Sequence, residues 1–231
     1  MEFLKENALW LLLGFAGLMT FLWLFAFKKR LRAKWYVLLL LSALHIIVGV
    51  FCVRFFAFLE SFGKSLPGAQ SLFGAVFFMP LLYFFGALTF KRDIRTVFDI
   101  FTVPLVFTLA CARVNCLISG CCTGLIISGI HSHIVRWPTR EAELVFYGAF
   151  LIPIIYKIVK TKTNGEVYPI YLISYGIFRF VIEWFRTATV FVGPFHISHF
   201  WATLAIIIGT SFYFEMKSNE KNNKSRSKNY A

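Results

Sequence analysis

Acidic side chains are scarce in this chain: 11 Asp and Glu stand against 24 Lys and Arg, a formal net charge of +13. The polar residues that clothe a soluble globule are also few, since hydrophobic residues make up 58% of the 231 and Phe alone numbers 29. At a mean hydropathy of +0.71, a water-soluble fold could not hide so much apolar surface. The first 27 residues lack the small-residue cleavage site of a signal peptide. Their apolar run is also too long for one, and a basic cluster follows it, so they are expected to remain as a helix. No internal repeat is visible, which leaves an inverted-repeat transporter without support.

What the chain does have is hydrophobic length. Seven apolar runs lie near 8–27, 35–59, 71–90, 96–118, 143–159, 167–187 and 198–216. Each approaches the roughly 20 helical residues that cross a hydrocarbon core. The expected fold is therefore all-α and polytopic, with about seven transmembrane helices forming one domain over 1–216. Residues 217–231, rich in Lys, Asn and Ser, have little to bury and are expected to form a disordered basic tail. Basic residues crowd the segments after the first, third, fifth and seventh runs, from Lys28 to Lys34, Lys91 to Arg95, Lys157 to Lys162 and Lys217 to Lys228. The bias puts the amino terminus outside and the carboxyl terminus in the cytoplasm. In this setting the positive charge anchors the chain to anionic lipid of the bilayer, and no nucleic-acid partner is expected.

Against this apolar background one segment stands out. Tyr175, Arg179, Glu183 and Arg186 follow one another at offsets of four, four and three residues, which places them on a single helical stripe. Charged groups at membrane depth are costly and mark substrate or ion paths. Arg113, near the outer end of the fourth run, is followed by Asn115 and the turn Ser119-Gly-Cys-Cys-Thr-Gly124. Two helices thus bring arginines to the outer half of the bundle, and the planar guanidinium fork suits phosphate. An ion pair of Arg179 with Glu183 that merely fastens the bundle is the simpler alternative.

Other polar residues have plainer readings. His131 and His133, in an outer loop, are either interface residues or general-base candidates. His45 reads as a hydrogen-bonded packing residue, and His196 and His199 as caps or anchors of the last span. Asp99 is expected to pair with Arg95 along its own helix, and Arg54 to snorkel. Cys116, Cys121 and Cys122 read as apolar fillers or a loop staple. Their spacing matches no standard zinc pattern, so no metal is expected. A thiol-redox use of the Cys121 and Cys122 pair is a separate possibility.

The segment Arg113-Val-Asn-Cys116-Leu-Ile-Ser-Gly120-Cys-Cys-Thr-Gly124 resembles the signature loop of bacterial prolipoprotein diacylglyceryl transferases, in the variant with a Gly-Cys-Cys centre. Trp137-Pro-Thr-Arg-Glu-Ala-Glu143 is similar to their Pro-Ser-Gln-Leu-Tyr-Glu segment. Tyr175 to Arg186 closely resembles their Tyr-Gly-x-x-Arg-Phe-x-x-Glu-x-x-Arg helix. The likeness is clear over 105–190. It implies a bacterial plasma-membrane enzyme that moves the diacylglyceryl group of phosphatidylglycerol to the thiol of a lipobox cysteine in an exported preprolipoprotein, without metal or other cofactor. It further implies that Arg179 and Arg113 hold phosphate, that Glu183 orients Arg179, and that Tyr175 hydrogen-bonds within the site. Asn115, Glu143 and Arg186 are implied in substrate binding, and Gly124 in letting the loop approach the lipid. The family's His-Gly-Gly-like motif is replaced by Ser71-Leu-Phe73-Gly74-Ala75, with Phe73 in the histidine's place. That exchange favours the alternative, a relative that binds or transports anionic phospholipid without catalysis.

Overall fold

Backbone amides removed from water must bond within their own segment, so long apolar runs become helices. The computed structural model describes residues 2–61, 63, 69–130, 133–160, 165–187, 191–192 and 194–229, without the side chains of 2–6, 128–130, 133–134, 191–192 and 219–229. Its helices are α1 (Glu2–Ala26), the single turn α2 (Lys28–Leu31), α3 (Trp35–Glu60), α4 (Phe73–Thr89), α5 (Ile94–Ser119), α6 (Thr139–Lys160), α7 (Val167–Glu183) and α8 (Ile197–Asn229). Two antiparallel hairpins interrupt them: β1 (Ile126–Ile130) with β2 (His133–Arg136), and β3 (Phe191–Val192) with β4 (Phe195–His196).

Every expected apolar run corresponds to a helix, but five helices, α1, α3, α5, α6 and α8, are long and apolar enough to cross a membrane. The other two, α4 and α7, have 17 residues each. At 1.5 Å per residue each spans roughly 26 Å, short of a core about 30 Å thick. The run read as 167–187 is shortened because the helix ends at Glu183 and Arg186 enters a β-bridge with Gly124. At the other extreme α8 continues to Asn229, through residues expected to be disordered. Lysine and glutamate carry good helix propensity there.

The bundle is organised around α5. Two thirds of its apolar window is buried, against about a quarter for the other four long helices, and it packs on α1, α4, α6 and α7. Outward faces carry large apolar side chains such as Trp10, Phe51, Phe85 and Phe200, as a lipid-facing surface requires. Glycines set two close approaches. A Cβ on Gly74 of α4 would collide with the Cys52 carbonyl oxygen of α3, and one on Gly176 of α7 would come within 2.7 Å of the Ala202 carbonyl oxygen of α8.

Asp99 does not act as half of a helix pair with Arg95. It is buried, and its carboxylate accepts the backbone N–H of Gly165 at 2.7 Å and of Val167 at 2.9 Å. The first amides of a helix have no partner within it, so an acid delivered from α5 closes the start of α7. His45 is the hydrogen-bonded packing residue expected of it, between Thr108 Oγ1 and the Tyr83 hydroxyl, each at 3.1 Å.

The Asp99 cap makes the first prediction. Asp99→Ala leaves two buried N–H groups without acceptors and is expected to cost about 1–3 kcal/mol, read as a lower unfolding temperature in detergent. Asp99→Asn, which keeps one acceptor oxygen, should recover part of the loss.

Candidate functional site

The site is built on one carboxylate. Glu143 sits in the second turn of α6, with its side chain 2% exposed, and its two oxygens gather arginines from two other elements. Arg113 of α5 approaches Glu143 Oε2 through Nε at 2.5 Å, and Arg179 of α7 approaches Oε1 through Nη1 at 3.1 Å. Arg186, in the turn after α7, brings Nη1 within 3.7 Å of the same Oε1. Glu183 holds the far side of Arg179, Nη2 to Oε2 at 3.0 Å, and lies 3.7 Å from Arg186 Nη1. Three guanidinium groups thus share two carboxylates within ion-pair distance, which leaves one positive charge over in a region where the Arg113 and Arg179 side chains are 5% and 7% exposed.

Charges so deep are tolerated only when paired and hydrogen-bonded, and here some donors are left over. Arg179 Nε and the hydroxyls of Tyr147 and Tyr175 are buried and have no hydrogen-bond partner among the described residues. Both tyrosines lie close enough to Arg113, Arg179 and Glu143 to feel their charge. Tyr175, Arg179 and Glu183 lie along α7 as expected, Arg186 follows in the turn beyond the helix, and the charged groups converge with Arg113. They converge on Glu143, a residue that resemblance alone had tied to substrate.

Phe73 occupies the flank of this cluster. The Arg179 guanidinium carbon is 5.5 Å from the centre of the Phe73 ring, and the Tyr175 ring meets that ring edge-on at 5.7 Å. The position that carries histidine in the family motif thus lies against the arginine stripe, here as an apolar platform.

The loop after α5 is fastened to the end of α7. Leu125 N–H donates to the Phe185 carbonyl and Trp137 N–H to the Leu125 carbonyl, each at 2.9 Å, while Thr187 Oγ1 donates to the Thr123 carbonyl at 2.9 Å. A Cβ on Gly124 would strike the Trp137 carbonyl oxygen, so the close approach this glycine permits is between backbone segments. Within the loop, the Cys116 thiol donates toward Cys122 Sγ at 3.8 Å. That contact, with Arg113 and Arg186 nearby, holds the Cys122 thiol below the ordinary thiol range, whereas burial raises that of Cys121.

Several residues enter the site from helices whose sequence gave no warning. Glu60, the last residue of α3, is hydrogen-bonded by Ser71 and interacts electrostatically with Arg179, Glu183 and Arg186. His196 was expected to anchor the last span, but its Nδ1 stands 3.7 Å from Glu183 Oε1. Ser198 hydrogen-bonds Glu183, and the His199 ring packs among Phe180, Trp184, Phe195 and His196. Asn115 is half-buried near the end of α5 and makes no hydrogen bond to the cluster among the described residues. His131 lies outside the described residues, and His133 falls in β2 with its side chain outside the description.

A family model described as prolipoprotein diacylglyceryl transferase matches residues 9–215. The chain belongs to that family. Among curated relatives, a Clostridium botulinum protein is 30% identical over 98 residues, which cover 42% of this chain and 37% of the relative. A Lactococcus lactis subsp. lactis protein is 31% identical over 88 residues, covering 36% of this chain and 34% of the relative. Both are named phosphatidylglycerol–prolipoprotein diacylglyceryl transferase. The matched stretch thus spans little more than a third of the length of either transferase relative.

Within this family member, Glu143→Gln removes the charge to which three arginines turn. Breaking a buried pair from one side costs about 3–5 kcal/mol, so the variant is expected to unfold at a markedly lower temperature in detergent. Thermal scanning of the two proteins side by side checks this.

Proposed function

We propose that this chain transfers the diacylglyceryl group of phosphatidylglycerol to the thiol of a lipobox cysteine in an exported preprolipoprotein. The observation that supports it best is the excess of buried guanidinium and hydroxyl donors over carboxylates where α5, α6 and α7 meet. In this reading α4 and α7 complete seven crossings, the amino terminus is outside, and the site opens to the outer half of a bacterial plasma membrane.

The reaction displaces a phosphate ester by sulfur. A thiolate attacks the glyceryl carbon that bears the phosphate, the carbon–oxygen bond breaks, a thioether forms, and glycerol phosphate leaves with the bonding electrons. The chain's task is to stabilise charge on the leaving phosphate and to accept the thiol proton. Arg179 and Arg113 hold the phosphate, assisted by Arg186 and by the Tyr175 and Tyr147 hydroxyls. Glu143 and Glu183 fix the guanidinium forks so that little reorganisation is needed, and Asn115 and Gly124 shape the loop over the head group. With Phe73 in the histidine's place, His196 takes the thiol proton and Glu183 orients its ring; the outer-loop His131 and His133 are the other base candidates.

Phe73 also supports a second reading, in which the arginine cluster binds an anionic phospholipid without turning it over. Incubating purified protein with labelled phosphatidylglycerol and a lipobox peptide separates the two. Transfer yields a thioether-linked peptide and free glycerol phosphate, whereas a binder retains lipid and yields neither. Arg113→Lys and Arg179→Lys keep a positive charge but lose the fork. Each is expected to lower turnover by at least about 100-fold, with membrane insertion unchanged. Full turnover in both variants would refute the assignment.

A further inference from the structure

Beside the arginine cluster lies a second group of side chains that the transfer chemistry does not use. Cys116 stands in the last turn of α5, and the chain then reverses through Gly120, a left-handed helix cap at φ 71°, to present Cys121 and Cys122. The reversal brings all three sulfur atoms within 4.8 Å of one another, with Cys116 Sγ and Cys122 Sγ 3.8 Å apart. Two thiolates bound to one tetrahedral zinc at about 2.3 Å each are separated by about 3.8 Å. One edge of the triangle already has that length, and closing the widest separation takes a shift of roughly half an ångström per sulfur. We propose that Cys116, Cys121 and Cys122 form a tri-thiolate site for a thiophilic d¹⁰ cation, Zn²⁺ or Cu⁺ by class, whose fourth position stays open on the exposed side of Cys121.

Two further observations point the same way. Cys122 holds φ at 57°, a left-handed conformation that costs a non-glycine residue energy and persists only when its surroundings impose it. That turn is what swings its sulfur back toward Cys116. The charges also fit. Three thiolates with one divalent cation carry −1, and Arg113 Nη1 lies 4.0 Å from Cys116 Sγ. Arg140 Nη1 meets the carbonyl oxygens of both Cys116 and Cys121 at 3.4 Å, bracing the turn from α6. The bound ion would tie the end of α5, which carries Arg113, to the loop whose Gly124 bridges Arg186. It is a structural clamp beside the arginine cluster and takes no part in bond making.

The test uses the full chain, purified in detergent under reducing conditions and titrated with Co²⁺ as the probe. The expected result is a near-ultraviolet sulfur-to-cobalt charge-transfer band that saturates at about one ion per chain and is displaced by Zn²⁺. Cys116→Ser, Cys121→Ser and Cys122→Ser should each lose the band, while Cys52→Ser and Cys111→Ser retain it. Zn²⁺ should also protect those three thiols, and not Cys52 or Cys111, from alkylation mapped by mass spectrometry, a readout available in the unsubstituted protein. Absence of the band in folded, reduced protein overturns the site, as does a band indifferent to Cys116→Ser. So does an intact mass showing that a Cys116 disulfide re-forms in place of metal uptake. Failure of the lipid-transfer assay leaves these readouts unaffected, so the two proposals stand or fall separately.

Discussion

A carboxylate buried beyond the reach of water must be neutralised, and Glu143 is neutralised by guanidinium groups that no single helix could supply. That one requirement fixes much of this end of the bundle. Arg113 draws α5 toward α6, Arg179 draws α7 toward both, and Arg186 pulls the turn after α7 inward. Once Arg186 is held there, the β-bridge to Gly124 and the hydrogen bonds of Leu125 and Thr187 close the loop over the same place. Between helices packed by weak apolar contact, a paired charge set of this kind gives register, which dispersion among Leu and Phe side chains supplies poorly.

The same requirement shapes what the cluster can receive. Two carboxylates are too few for three guanidinium groups, and the third acid, Glu60, is engaged by Ser71 and stands outside ion-pair distance of the arginines among the described residues. A phosphate diester brings the missing negative charge and acceptor oxygens for donors such as Arg179 Nε and the two tyrosine hydroxyls. Desolvation strengthens every such contact, which is why a buried site of modest net charge can be selective where a basic surface patch is not.

Much of this was legible in the chain itself. The seven apolar runs marked the helices, because a bilayer leaves the backbone few other choices. The stripe from Tyr175 to Arg186 followed from helical spacing alone. Arg113 stood out by its place near the end of an apolar run, but Glu143 needed the family motif, since nothing local says that an acid in α6 faces an arginine in α5. Contacts across the fold were hidden. Asp99 sits four residues from Arg95, yet the unfilled amides of α7 hold it more firmly than an exposed helix pair could. Glu60 lies at the end of α3, far along the sequence from α7, and His196 lies in β4, beyond the turn that follows α7; only the folded arrangement brings both to the cluster. The cysteine triangle escaped for a similar reason: zinc spacings are tabulated for fingers and ribbons, whereas here a left-handed turn after a helix makes a short C-x₄-C-C run converge.

Phe73 stands where the resemblance puts the family's histidine, and its surroundings say what a phenyl ring does there. An imidazole in that place would lie beside Arg179 and compete with Glu183 for its donors. A phenyl ring instead offers its face to the guanidinium and its edge to Tyr175, holding the arginine while removing any proton acceptor from the α4 side. The imidazole rings near Glu183 are His196 of β4 and His199 of α8. In the transfer reading proposed above, proton removal therefore moves across the cluster from the α4 side to His196 of β4.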